Sequence, residues 1–150
     1  MIVFDLDGTL ALDEHRVHHL RKEPKDWTSY FAACAGDKPN WPVIEILTAL
    51  KTKHPFERIG IWTGRSAEVM EETVKWLKDL GLWSLIYNFQ MRPMDDHTDD
   101  TELKRRWLHE YNNANEGSDS VKFVFEDRQR VVDMWRAEGI TCLQVAPGDF

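Results

Sequence analysis

The sequence predicts an α/β fold, a Rossmann-like parallel sheet of about five strands with helices on both faces. Short apolar runs alternate with stretches of helical spacing through most of the 150 residues, as in chains built from βαβ units. Polar clusters directly follow three of the apolar runs, which is typical of the edge where parallel strands end and ligands bind. The length suits a single domain over residues 1–150.

The first apolar run, at residues 2–4, predicts a buried strand that ends at Asp5. Residues 11–40 then interrupt the alternation, because they mix histidines and basic residues with acids around one helix that Asp26 is positioned to cap. We therefore expect a core of residues 1–10 and 41–150 with a small insertion at about 11–40.

The remaining predicted elements alternate along the chain. They are, in order, a helix opened by Pro42, a strand at 58–62, a helix capped by Ser66 and stopped by Gly81, a strand at 85–91, a helix at 98–113, a turn at Gly117 and Ser118, a strand at 121–125, a helix ended by Gly139 and a strand at 140–145. Each predicted helix between two strands is long enough for a right-handed crossover.

The composition narrows the possible functions. With 26 acidic and 19 basic residues the net charge is −7, which disfavours broad, sequence-independent nucleic-acid binding but leaves a local phosphate site open. Cys34 and Cys142 are far apart and form no C-x-x-C motif, which favours a reducing cytoplasm over a disulfide scaffold. No apolar run approaches the roughly 20 residues of a membrane span, so we expect a cytoplasmic protein without a membrane partner.

Three polar clusters follow predicted strands. They are Asp5 with Asp7, Thr63 with Gly64 and Arg65, and Glu126 with Asp127. Acids at such positions also cap helices, but three clusters at one sheet edge favour a functional site. Four carboxylates in one cleft would raise one another's pKa, and a hard divalent cation such as Mg²⁺ resolves that repulsion. Phosphate is the anionic substrate that we expect beside the metal.

The first cluster carries groups for acid–base and nucleophilic chemistry. Asp5 and Asp7 share a face in extended backbone, so one could attack phosphorus while the other protonates the leaving oxygen. Gly8 frees the turn, and Thr9 with the following backbone N–H groups could cradle a phosphate.

Lys104 lies beside the buried stripe of the predicted helix at 98–113, whereas Arg105 and Arg106 point elsewhere. A lysine in that place either extends to water or reaches into a cleft. The acidic cleft favours the second interpretation.

The stretch from Asp5 to Leu10, D-L-D-G-T-L, resembles motif one of the haloacid dehalogenase superfamily of phosphohydrolases. Thr63, Lys104 and the pair Glu126-Asp127 fit motifs two, three and four in order. The chain further resembles the phosphatase half of phage-type polynucleotide kinase–phosphatases. The residues that carry this likeness are Thr63-Gly64-Arg65, Glu126-Asp127-Arg128, the spacing Arg92…Asp96…Asp100…Lys104, residues 131–135 and the tail from Gln144. That family commonly has Asp where this chain has Glu126. The loop of the kinase half is absent from this sequence, so the resemblance implies a stand-alone phosphatase.

The resemblance implies a role for each matched residue. Asp5 would be the nucleophile, and Asp7 the general acid and then the base. Thr63 would bind phosphate, and Lys104 would pair with Asp5 and the phosphoryl oxygens. Asp5, the Asp7 backbone carbonyl, Asp127 and Glu126 would hold Mg²⁺, and the phosphate- or substrate-binding residues would be Gly8, Thr9, Gly64, Arg65 and Arg92.

The expected reaction is hydrolysis of a phosphomonoester through an aspartyl-phosphate, on a 3′-phosphate end of DNA or RNA. A free nucleotide is the alternative substrate, and the net charge of −7 favours it because a long polyanion is repelled. A phospho-dependent receiver is a third interpretation, against which the acid–base residue Asp7 speaks. The phosphorylated nucleic-acid end or nucleotide is thus the predicted partner, and the likeness suggests a phage or bacterial source.

The insertion at 11–40 corresponds to a small cap in this superfamily, and a small cap suits a bulky or polymeric substrate end. The basic residues Arg16, Arg21, Lys22 and Lys25 either line the site for a polyanion or form a solvated face, since nearby acids balance them. Trp27 and Trp41 flank the insertion and are the better candidates for stacking on a base, with core packing the stronger expectation.

Overall fold

The first apolar run forms the central strand of a five-stranded parallel sheet. The computed structural model describes residues 1–115 and 119–148, so the predicted turn at Gly117 and Ser118 lies outside it. In chain order the strands are β1 (Ile2–Phe4), β2 (Ala11–Leu12), β3 (Lys38–Pro39), β4 (Ile59–Ser66), β5 (Asn88–Arg92), β6 (Phe123–Arg128) and β7 (Thr141–Gly148). The helices are α1 (Trp27–Ala32), α2 (Trp41–Lys53), α3 (Met70–Asp79), α4 (Asp100–Ala114) and α5 (Gln129–Ala137).

The sheet has the strand order β5-β4-β1-β6-β7, and every neighbouring pair is parallel. Phe4 of β1 is in register with Ile61 of β4 and with Phe125 of β6. The carboxyl ends of all five strands therefore lie along one edge of the sheet. The polar residues that follow β1 and those in the last parts of β4 and β6 lie side by side there. The predicted fold class is confirmed.

The alternation of β1 distributes its side chains to two apolar layers. Val3 packs with Trp62 and Val124 against α4 and α5, where Trp107 and Trp135 are buried. On the other face, Ile2 and Phe4 pack with Ile61 against α2 and α3, where Leu47 and Leu77 are fully buried. Each fully buried side chain of this size contributes about 1.5–3 kcal/mol, so both layers hold the central strand in place. None of the helices in the described ranges is both long and apolar enough to cross a lipid bilayer.

The insertion, residues 11–40, forms a small unit beside the carboxyl edge of the sheet. Its two ends join in a short antiparallel ladder, in which Ala11 pairs with Pro39. Within it, α1 begins at the predicted cap, because the Asp26 carboxylate accepts a hydrogen bond from the Ser29 N–H at 3.0 Å. Four buried residues of the insertion pack on Val69 and Met91 at the edge of the main sheet; they are Leu20, Tyr30, Phe31 and Cys34.

The observed elements differ from the predicted ones mainly at strand ends. β4 continues to Ser66 and β6 to Arg128, because the polar residues that follow each apolar run have buried partners. The strand predicted at 85–91 is β5, and it begins at Asn88 because residues 83–85 form a 3₁₀ turn. Ser66 caps a 3₁₀ turn, Ala67–Val69, from which α3 continues.

Candidate active site

Three buried carboxylates meet where β1 and β6 reach the edge of the sheet. Asp5 follows β1, and Glu126 and Asp127 lie in the last part of β6. One carboxylate oxygen from each lies within 4.8 Å of the others, and the three residues are 6%, 1% and 3% exposed. The register of Phe4 with Phe125 fixes this arrangement, because the next residues along the two strands are Asp5 and Glu126. We call these three residues the acidic cluster.

Lys104 reaches the acidic cluster from α4. Its Nζ donates hydrogen bonds to Asp5 Oδ1 at 2.6 Å and to Glu126 Oε2 at 2.7 Å, and the residue is 3% exposed. Arg105 pairs instead with Glu138, and Arg106 with Asp96, both on the outer side of the helix. The helix-face prediction for Lys104 therefore agrees with the observed contacts.

The acidic cluster, when fully ionised, has more negative charge than Lys104 balances. Burial, and then the charge of Glu126, raises the pKa of Asp5 to about 7 against the lowering effect of Lys104. Burial and the charge of Asp5 raise the pKa of Asp127 to about 9. Three carboxylates that share one ammonium form a donor set of hard oxygens with an excess negative charge. Such a set fits a hard divalent cation, which would bind the oxygens and offset the charge.

Gly8 has a steric role at the acidic cluster. Its φ is +78°, and a Cβ at this position would lie 2.2 Å from Asp127 Oδ2. The structure gives Gly8 and Thr9 a different role from the predicted phosphate cradle, because their N–H groups donate to the carbonyls of Ala11 at 2.8 Å and Leu6 at 3.2 Å. Thr9 is also fully buried. This turn therefore positions the carboxylates, and its N–H groups are already used within the chain.

The side chain of Asp7 contacts two arginines instead of the acidic cluster. Asp7 Oδ1 accepts hydrogen bonds from Arg16 Nη2 at 2.5 Å and from Arg65 Nε at 3.1 Å. Burial by itself raises the pKa of Asp7, but the guanidinium groups of Arg65 and Arg16 outweigh it and hold the pKa well below its usual range. Asp7 is therefore an ionised carboxylate in this arrangement.

Asp37 connects the two arginines behind Asp7. Its oxygens accept hydrogen bonds at 2.6 Å from Arg16 Nε, Arg16 Nη2 and Arg65 Nη2. Asp37 has a fully buried side chain, and Arg16 and Arg65 are 0% and 1% exposed. We call Asp7, Arg16, Asp37 and Arg65 the Asp7 network.

The Asp7 network changes two expectations. Arg65 was expected to contact phosphate or substrate, but its guanidinium is engaged with Asp7, Asp37 and the Thr73 hydroxyl. Arg16 is neither at the cavity surface nor on a solvated face, because it is buried between two carboxylates. Arg16 was expected to line the site or to face solvent, and Asp37 was not predicted as a site residue, because the two are distant in sequence and no spacing pattern links them.

A cavity of about 410 Å³ opens over the acidic cluster. Asp5, Asp7, Lys104, Glu126 and Asp127 line its floor together with Thr63 and Gly64. The hydroxyl oxygen of Thr63 accepts a hydrogen bond from the Arg65 N–H at 3.1 Å, which leaves the Thr63 O–H as a donor. Thr63 and Gly64 are thus brought together with the predicted nucleophile.

Two arginines on the wall of the cavity have carboxylate or carbonyl partners. Arg92 donates from Nε to the Gly64 carbonyl at 2.8 Å and from Nη1 to the Thr98 carbonyl at 2.5 Å, so it ties the end of β4 to the loop before α4. Arg128, to which the sequence analysis gave no role, donates from Nη1 to Asp100 Oδ2 and lines the cavity. The position of Arg128 directly after Asp127 in the sequence was the signal that could have indicated a site residue.

All 150 residues match the family model described as the phosphatase domain of polynucleotide kinase PNKP. The chain belongs to this family. It is also similar, with 32% identity over 136 residues, to a protein of Autographa californica nuclear polyhedrosis virus that is named as a bifunctional polynucleotide kinase/RNA ligase. That alignment covers 90% of this chain and 17% of the viral protein. The chain is therefore a phosphatase domain by family, and it spans a small part of that relative.

Solved structures agree with this assignment. A chain of the Pnkp1/Rnl/Hen1 RNA repair complex superimposes with a TM-score of 0.80 and 29% identity, covering 99% of this chain and 43% of that one. A second structure of a Pnkp1/Rnl/Hen1 complex gives 0.77 and 28%, covering 99% and 46%. The haloacid dehalogenase-like hydrolase SP0104 from Streptococcus pneumoniae gives 0.62 at 14% identity, covering 95% and 82%, and shares the fold.

Proposed function

We propose that this phosphatase is Mg²⁺-dependent and removes 3′-phosphates from nucleic-acid ends through an aspartyl-phosphate at Asp5. The observation that carries the proposal is the placement of Asp5, with Lys104 on its Oδ1 at 2.6 Å, at the floor of a cavity that the acidic cluster lines. A carboxylate whose orientation a buried lysine fixes can act as a nucleophile on phosphorus.

The first half of the proposed reaction breaks the bond between phosphorus and the 3′-oxygen. An Asp5 oxygen forms a new bond to phosphorus, while Lys104 and the Thr63 hydroxyl bind phosphoryl oxygens. The leaving 3′-oxygen takes its proton from Asp7. The negative phosphate in the cavity raises the pKa of Asp7, which offsets the two guanidiniums and allows the carboxyl to carry that proton.

The second half regenerates the enzyme. Asp7, ionised after proton donation and held by Arg16 and Arg65, accepts a proton from water as the water attacks phosphorus. The bond between phosphorus and the Asp5 oxygen breaks, and inorganic phosphate leaves. Asp5, Glu126 and Asp127, with the Asp7 backbone carbonyl, would hold Mg²⁺, which when bound offsets negative charge on the phosphoryl group.

Two lines of support favour a nucleic-acid end as the substrate. The relatives are named for polynucleotide kinase, RNA ligase and RNA repair. Lys25, Arg128 and Arg130 also line the cavity, although Arg128 and Arg130 pair with Asp100 and Asp99 and the net charge of the chain is −7. A free nucleotide is the second candidate, because Asp95, Asp96 and Asp99 line the same cavity and would repel a long polyanion.

The test is phosphate release with Mg²⁺ from a 3′-phosphorylated oligonucleotide. It is run beside the 5′-phosphorylated isomer, a panel of free 3′- and 5′-nucleotides and the Asp5→Asn protein. We expect the 3′-phosphorylated oligonucleotide to give the highest kcat/KM and Asp5→Asn to give no turnover. Preference for free nucleotides would select the second candidate. Turnover by Asp5→Asn, or full activity in EDTA, would refute the mechanism.

A further inference from the structure

Trp27 is a partly exposed aromatic residue in the cavity wall. The residue is 41% exposed and lines the same cavity as the acidic cluster. Trp41 and Phe56 are more exposed, at 55% and 98%, but they do not line the cavity. Single exposed apolar residues on an outer surface are ordinary. A large, partly exposed aromatic ring in a cavity that mostly charged residues line, with Tyr30 and Phe31 beside it, indicates a contact with an apolar part of the ligand.

The ring of Trp27 is held in place by the insertion. It stacks on Phe31 with ring centroids 5.7 Å apart and an interplanar angle of 27°. It meets Tyr30 edge-on at 5.9 Å. Phe31 and Tyr30 are 9% and 2% exposed, and the Asp26 cap fixes the start of the helix directly before Trp27. Binding a ligand therefore costs little additional ordering of this side chain.

The surroundings of Trp27 indicate which ligand group fits. Lys25 Nζ lies over the indole ring, 5.8 Å from its centroid. Arg128 and Arg130, which pair with Asp100 and Asp99, line the same cavity. A cavity of about 410 Å³ is larger than a phosphate group needs and falls in the range of small-molecule sites. A planar, uncharged ring attached to phosphate matches an aromatic face with cations nearby, and a nucleobase is such a ring.

We propose that Trp27 is the stacking platform for the base of the nucleotide that carries the scissile phosphate. The inference rests on the proposed function and names the part of the substrate that the insertion recognises. Because every base has a π face, the platform distinguishes ends with a base from ends without one and is tolerant of sequence.

The experiment compares Trp27→Ala with the wild-type protein on two 3′-phosphorylated oligonucleotides. One ends in a normal nucleotide, and the other ends in an abasic tetrahydrofuran residue. We expect Trp27→Ala to raise KM for the normal end about fivefold or more, the lower limit for loss of one base–aromatic stack. KM for the abasic end and both kcat values stay within about twofold. An equal rise for both ends, or no rise for the normal end, would overturn the proposal.

Two further variants control for folding and for general loss of an exposed aromatic. Trp27→Phe keeps an aromatic face and retains most of the discrimination. Trp41→Ala removes a more exposed tryptophan outside the cavity lining and leaves both KM values unchanged. A rise in KM with Trp41→Ala equal to that with Trp27→Ala would contradict a local platform.

Binding to the Asp5→Asn protein separates this proposal from the proposed function. Fluorescence anisotropy measures the Kd of both labelled oligonucleotides with and without the Trp27→Ala change. If wild type releases no phosphate from either end but Trp27 still favours the normal end in binding, the proposed function fails and the platform stands. If phosphate is released and Trp27→Ala leaves the Kd ratio of the two ends unchanged, the platform fails and the proposed function stands.

Discussion

Asp37→Asn perturbs Asp7, the proposed general acid–base residue, from a position that does not line the cavity. Asp37 has a fully buried side chain that accepts three hydrogen bonds of 2.6 Å from Arg16 and Arg65. Asparagine has nearly the same shape, but it lacks the charge and has only one acceptor oxygen. The two guanidiniums would then share the single carboxylate of Asp7. Any effect on activity must therefore pass through the arginines to Asp7.

The size of the effect on stability follows from the burial. Removing one partner from a buried ion pair costs about 3–5 kcal/mol, because the remaining charge stays buried without compensation. A loss of 1 kcal/mol lowers the Tm of a domain of this size by about 2–4 °C, so we expect a fall of roughly 6–20 °C. Asp79→Asn is the matched control, since Asp79 pairs with Lys75 on an exposed helix surface, and its Tm changes by about 2 °C or less.

The effect on catalysis depends on the leaving group. With Asp37 neutral, both arginines act on Asp7 alone and hold its pKa lower still, which weakens proton donation to the 3′-oxygen. We expect kcat/KM, which reports the first half of the reaction, to fall much more for a 3′-phosphorylated oligonucleotide than for p-nitrophenyl phosphate, whose leaving group needs no proton. The assay measures both kcat/KM values and the thermal melt at one pH. Equal slowing of the two substrates, or a melt like that of Asp79→Asn, would refute the reasoning.

Three more predictions concern the acidic cluster. Lys104→Ala lowers kcat at least about 100-fold, whereas Arg105→Ala changes it less than about threefold, because Lys104 contacts Asp5 and Arg105 pairs with Glu138. The measurement is steady-state kinetics on the two variants, each corrected for the fraction of folded protein. In EDTA the Tm falls as pH rises from about 5 to 9, because folded Asp5 and Asp127 retain protons that the unfolded chain releases, and Mg²⁺ reduces this slope. Identical melting curves with and without Mg²⁺ would contradict it. Gly8→Ala weakens Mg²⁺ binding in calorimetry, and Gly81→Ala, with a similar positive φ but no atom within 4 Å of the added Cβ, does not.

The order of apolar and polar residues along short segments was sufficient to predict the strands and helices whose buried face follows from that order. The apolar run of β1, the helical stripe of α4 and the Asp26 cap of α1 are properties of neighbouring residues, and each appears in the structure at the expected place. Lys104 could be placed for the same reason. Its face of the helix follows from the spacing of the buried residues around it.

Long-range pairing of charged residues could not be predicted in the same way. Arg16 has acids close to it in sequence, which favoured a solvated face, yet its partners are Asp7 and Asp37. β4 continues past its apolar run because Arg65 reaches the same carboxylates, and polarity alone predicts a loop there. The competing effect in both cases is a buried ion network, whose members become neighbours only after the chain has folded.

The backbone pairing of β1 with β6 fixes the positions of some site residues more strictly than the insertion fixes others. The spacing of Asp5 and Glu126 is set by main-chain pairing in the middle of the sheet, on which both apolar layers depend. Lys25 and Trp27 instead lie in an insertion whose ends meet at the pair Ala11 and Pro39. Substitutions at Lys25 and Trp27 are expected to alter which esters enter while Asp5 and Glu126 keep their positions. Arg16 and Asp37 of the same insertion must be kept, because they belong to the network that holds Asp7. Conservation of the proposed reaction and variation of its substrates would therefore act on different residues of the same domain.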